Sequence, residues 1–77
     1  MARKSIDWQS TVKGILKAEL KRRELSHADL AESLAKLGVK TNRRNVTNKI
    51  GRGNFTAVFF MQCMLAIGCC TIHLKND

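Results

Sequence analysis

The sequence contains no proline, and only six acidic side chains stand against fourteen lysines and arginines. Without proline, and with five glycines in 77 residues, little interrupts regular segments except short turns. This points to helices and away from a low-complexity chain. The acids (Asp7, Glu19, Glu24, Asp29, Glu32, Asp77) form no paired-carboxylate motif. Neither His27 nor His73 has a serine or cysteine partner at a recognisable catalytic spacing, so the chain is expected not to be an enzyme, with no catalytic residues. Cysteine is scarce and odd in number: Cys63, Cys69 and Cys70 include an adjacent pair unsuited to bridging and no Cys-x-x-Cys, which fits buried thiols in a reducing compartment. Cys69, Cys70 and His73 meet no standard zinc spacing, so neither metal nor cofactor is expected. Long hydrophobic runs are missing too. The longest, residues 57–67, is broken by Gln62 and falls short of the roughly 20 residues that span a bilayer. Residues 1–4 are basic, but no apolar segment of signal-peptide type follows.

What is present is charge and apolar periodicity. A hydrophobic content of 44% suits a globular chain, and 77 residues allow one domain with one core. A formal charge of +8 predicts attraction to a polyanion, either nucleic acid or an anionic membrane surface. Trp8, Val12, Ile15, Leu16 and Leu20 follow the spacing of an amphipathic helix over residues 7–23, which ends in the cluster Lys21, Arg22, Arg23. Ser26, with Asp29 three residues on, has the form of a capping box for a second helix over 27–37, with Leu25 and Leu30 set as a staple and Gly38 as the stop. Thr41 or Asn42 caps a third helix over 42–50, ended by Gly51 and Gly53. Thr56 caps a fourth over 57–67, apolar nearly all round and expected to be covered on most sides. Cys70, Ile72 and Leu74 alternate with polar residues, the period of a strand over 70–75. Trp8, Phe55, Phe59 and Phe60 are expected in the core, and His27 exposed in the first turn of its helix.

The third helix carries the functional reading. Residues 41–54, TNRRNVTNKIGRGN, hold four basic side chains, four asparagines and no acid, and residues 36–54 hold six basic side chains and no acid. At about 100° per residue Val46 and Ile50 face inward, Arg44, Asn48 and Arg52 face outward with Asn45 beside them, and Thr47 and Lys49 lie on the flanks. Outward Arg and Asn at this spacing suit a helix lying in the DNA major groove, Arg donating to guanine and Asn pairing with adenine. The base contacts expected are Arg43, Arg44, Asn45, Thr47, Asn48 and Arg52. Those to phosphates are Lys21, Arg22, Arg23, Ser26, Lys36, Lys40, Thr41 and Lys49.

The run LSHADLAESLAKLG, then NVTNKIGRG, then a hydrophobic helix ending AIG, resembles in order the lambda-repressor-like (Cro/C1, XRE) helix-turn-helix domains over roughly residues 25–68. Val46 and Ile50 are four apart, where the repressor pattern uses three. A closer likeness joins VKGILKAELKRREL, NKIGRGNF and FFMQCMLAIG to small bacterial proteins grouped as a domain of unknown function, DUF6471. The expectation is a mainly all-α domain over 1–77, a compact four-helix lambda-repressor-like helix-turn-helix with a short C-terminal strand. It would be a small transcriptional regulator that binds double-stranded DNA in a cytoplasmic, bacterial or phage-type setting, at the nucleoid. No membrane or small-molecule partner is expected. A homodimer through Phe59, Met64, Cys70, Ile72 and Leu74 would address half-sites of a palindrome. The alternative is a protein-interaction adaptor or inhibitor that docks through the fourth helix and strand.

Overall fold

The structure, a computed structural model, describes residues 7–72. It contains four helices: α1 (Trp8–Arg22), α2 (His27–Lys36), α3 (Arg43–Arg52) and α4 (Ala57–Ala66).

Each helix begins where a short polar side chain satisfies a backbone N–H left over in the first turn. Asp7 accepts from the Ser10 amide at 3.1 Å, Asn42 from the Asn45 amide at 2.8 Å, and Thr56 from the Phe59 amide at 3.0 Å. Ser26 and Asp29 form the full capping box: Ser26 Oγ accepts from the Asp29 amide at 3.0 Å, and the Ser26 amide donates to Asp29 Oδ2 at 2.9 Å. Ser26→Ala removes one half of this exchange, and a loss of about 1–2 kcal/mol is expected in a urea titration, with an unchanged m-value.

The stops also have local causes. Gly38, at φ +87°, lets the Val39 amide return to the Leu34 carbonyl at 3.0 Å. The third helix runs two residues beyond the expected end at 50, through Gly51 and Arg52. Gly53 rather than Gly51 takes the left-handed cap, at φ +73°.

Packing is pairwise and crossed. α2 lies against α3 and α4, and α1 lies against α3 and α4, while the Cα atoms of α1 and α2, and of α3 and α4, stay more than 8 Å apart. α1 and α2 therefore each bridge α3 and α4. The core between them is built from Leu16 and Leu20 of α1, Leu30, Ala31 and Leu34 of α2, Val46 and Ile50 of α3, and Phe59, Cys63 and Met64 of α4, with Cys69 closing one end. Phe55 stacks beside Phe60, with ring centroids 6.1 Å apart, and tilts against Phe59 at 5.4 Å.

Several expectations are corrected. Trp8 is exposed rather than in the core, at 66%. It sits in the first turn of α1, where the approaching segment is Gly53, which brings backbone against Gln9 and no side chain to cover an indole. No strand forms over 70–72, the described part of the expected strand, because the chain leaves α4 through a left-handed Gly68. The Cys69 amide is spent on the Met64 carbonyl at 2.8 Å, and among the described residues no sheet edge lies alongside. Residues 73–75, with Leu74 and His73, lie outside the described residues. α4 is not covered on most sides: Val58, Met61 and Leu65 are 65%, 60% and 66% exposed, on the side turned away from α1 and α2.

Candidate functional site

α3 is held by two side chains and offers the rest to solvent. Val46 and Ile50 are fully buried, whereas Arg43, Arg44, Asn45, Thr47, Asn48, Lys49 and Arg52 are exposed. Arg43, Arg44, Thr47 and Asn48 line one shallow groove along the helix. Among the described residues the ion pairs are those of Glu19, and none of these residues pairs with the three α3 arginines.

Two side chains on the flanks of α3 are tethered. Thr47 Oγ1 lies 2.9 Å from His27 Nδ1 at the start of α2, and the imidazole tautomer sets which of them donates. His27 is accordingly half-buried rather than exposed. Lys49 leans its ammonium over the Phe59 ring, 4.7 Å from the centroid. Together with Arg52 it borders a hollow where α3 hands over to α4.

The residues expected at phosphates divide into two groups. Lys21, Lys36 and Lys40 are exposed. Lys21 shares a groove with Lys17 and His27, so the basic surface at the end of α1 runs through His27 to Thr47 and α3. The others are already engaged or partly enclosed. The Ser26 hydroxyl is committed to its capping box, and Thr41 is half-buried with its hydroxyl oxygen enclosed and without a protein partner. Arg22 and Arg23 both bind Glu19: Arg22 at 2.8 Å, and Arg23 through both its carboxylate and, at 3.5 Å, its carbonyl. Arg22 remains largely exposed, at 64% of its side chain, and Arg23 is drawn in to 30%.

Among the described residues Glu19 is the buried acid, 6% exposed. The hydrogen bond from Arg23 holds its carboxyl below the usual range against the opposing effect of burial, with Arg22 adding to the lowering. Asp7 and Asp29 are lowered in the same direction, chiefly by the backbone amides that they cap. A carboxyl whose folded pKa is depressed contributes stability that is complete above its unfolded value and is lost as pH falls through the folded one. Melting temperature is therefore expected to hold near neutrality and fall below about pH 4.5, and Glu19→Gln should lower it at pH 7 and flatten that acid limb. Circular dichroism melts from pH 7 to pH 2 read both.

The sequence reading missed His27 as the link between the two basic regions, and it missed Lys17. It also missed Lys13, whose Nζ donates to the Gly51 carbonyl at 3.0 Å and ties α1 to the end of α3. These pairs lie 20 and 38 residues apart, and no local pattern signals them. Of the expected dimer residues, Phe59 and Met64 are interior, at 5% and 2% exposed, because they sit on the side of α4 that meets α2 and α1. Cys70 and Ile72 are exposed. Burial pushes the Cys63 thiol up to about 12, so it stays protonated and unreactive.

The fold and this surface define a small all-helical domain with one basic helix face. Residues 8–72 match the model of DUF6471, a domain of unknown function, and the chain belongs to that family. Neither the curated proteins nor the solved structures contain a match to it. Among the described residues no helix is long and apolar enough to cross a membrane.

Proposed function

We propose that the protein binds double-stranded DNA as a small transcriptional regulator, with α2 and α3 acting as a helix-turn-helix and α3 entering the major groove. The observation that carries this reading is the outer face of α3: Arg44, Asn48 and Arg52 exposed on a helix whose buried side chains are Val46 and Ile50. With side chains an α-helix is about 10–12 Å across, which fits a major groove about 12 Å wide, and ten residues extend about 15 Å along it. Arg44 and Asn48 have the donors and acceptors to read guanine and adenine edges, and Lys17, Lys21, Lys36 and Lys40 have the charge to fix the duplex by its phosphates. Arg43, Asn45 and Arg52 extend the same face. The family resemblance to repressor-like domains over roughly residues 25–68 points the same way.

The test is binding to a pool of random duplexes across a salt series, followed by sequencing of the bound fraction. A steep loss of affinity with salt together with enrichment of one motif is expected. Salt-dependent binding with no enriched motif would reduce α3 to a nonspecific cationic surface and end the regulator reading.

A further inference from the structure

The second unexplained surface is on α4. Its sequence, AVFFMQCMLA, has no acidic or basic residue in a chain of formal charge +8. Val58, Met61 and Leu65 project from it at spacings of three and four, which is the a–d–a rhythm of a coiled-coil seam. Beside them an apolar groove of about 450 Å³ runs along Met61, Leu65, Cys70 and Ile72. Three large side chains more than half exposed on one ten-residue helix are a costly arrangement in water for a domain with so small a core.

We infer that a second copy of this chain covers the α4 seam, the two helices packing antiparallel about a two-fold axis. The charge distribution selects this occupant. Two molecules of the same high positive charge repel over most of their surfaces, and α4 itself contributes no cation where they would meet. An anionic bilayer is matched by an apolar stripe flanked with lysine and arginine, and α4 contains neither. The stripe is also self-complementary. Because Val58 and Leu65 stand three residues before and four after Met61, an antiparallel partner brings Met61 against the partner's Met61 and Val58 against the partner's Leu65. Ile72 and Cys70, at the edge of the groove, extend the contact. A helix pair of this length lies at the low end of stable interfaces, roughly 1,000 Å², so association is expected at micromolar concentrations rather than nanomolar.

This assembly does not rest on DNA binding. The seam of Val58, Met61 and Leu65 uses none of the residues assigned to the duplex.

Sedimentation equilibrium of the full chain without nucleic acid tests it. The mass should rise from the monomer value of 8.6 kDa toward twice that value between low and high micromolar concentration. Met61→Lys and Met61→Glu should each weaken self-association by about a hundredfold, since each sets like charges in direct opposition. Both substitutions fall at the same exposed position, so helical circular dichroism should be retained. An equimolar mixture of the two variants should recover the dimer, a result that loss of folding cannot imitate. Arg44→Ala with Asn48→Ala should dimerise as the parent does, which separates failure of this inference from failure of the DNA reading. A parent that stays at 8.6 kDa throughout, a mixture that stays monomeric, or a monomeric parent that partitions onto phosphatidylserine vesicles through Met61 would each overturn it.

Discussion

Alanine at both Arg44 and Asn48 is expected to abolish sequence-selective DNA binding and leave the fold intact. Both side chains are exposed and neither makes a hydrogen bond or ion pair with another described side chain, so nothing in the core depends on them. Alanine is a better helix former than either residue, so α3 should be held at least as firmly as before. Each bidentate base contact is worth about 1–3 kcal/mol of discrimination, so the pair should cost about 2–6 kcal/mol, or roughly thirtyfold to ten-thousandfold in affinity for a selected site. Nonspecific affinity should fall far less, because the lysines of α1, α2 and the turn remain. Lys36→Ala or Lys40→Ala should do the reverse, weakening all duplexes alike and reducing the salt slope by about one. Competition between a selected site and a scrambled duplex at two salt concentrations separates these outcomes. A double variant that still discriminates between the two duplexes would show that α3 is not the reading element.

Gly53→Ala is expected to be the most damaging single methyl in the described chain. The residue caps α3 at φ +73°, a left-handed conformation that costs an L-residue roughly 1–2 kcal/mol. The added Cβ would also stand 2.8 Å from the Gln9 carbonyl oxygen and 3.3 Å from its carbon. These are backbone atoms of α1 and cannot rotate aside, so the helices must separate, with an overpacking cost of about 1–3 kcal/mol. The combined loss, about 2–5 kcal/mol, is a large share of the roughly 4–12 kcal/mol available to a chain of this length. Gly51→Ala, two residues earlier, is the control. Its Cβ meets nothing within 4 Å and its backbone is helical, so a gain of about 0.5–1 kcal/mol is expected. Urea denaturation of both variants reads the contrast, and equal effects would remove the argument from close approach.

The contrast between these two glycines shows what was legible in the sequence. Both stand at the end of a basic helical segment and both read as stops, because the local pattern registers only that glycine breaks helices. Which one caps α3 depends on where α1 runs, and Gln9 is far away in the chain. Trp8 failed for the same reason. Its spacing to Val12 and Ile15 is helical and apolar, yet periodicity reports a side of the helix and says nothing about whether a neighbour reaches that turn. The expected strand over 70–75 rested on alternation alone, and alternation has no meaning without an edge to pair with.

The sequence by itself determined the four helices, their caps at Ser26 and Thr56, and the turn at Gly38, because caps and stops are satisfied within three to five residues of chain. It also determined which residues of α3 face inward, since Val46 and Ile50 are the only large apolar side chains there and any core would claim them. The tertiary structure alone decided how the charges are used. It tied Arg22 and Arg23 to a buried Glu19, joined the basic end of α1 to α3 through His27, and turned Phe59 and Met64 inward while Val58, Met61 and Leu65 stayed out. A helix that is apolar all round gives no hint of its buried side. Which side that is follows from where α1 and α2 lie, a matter of packing between distant segments that no local pattern encodes.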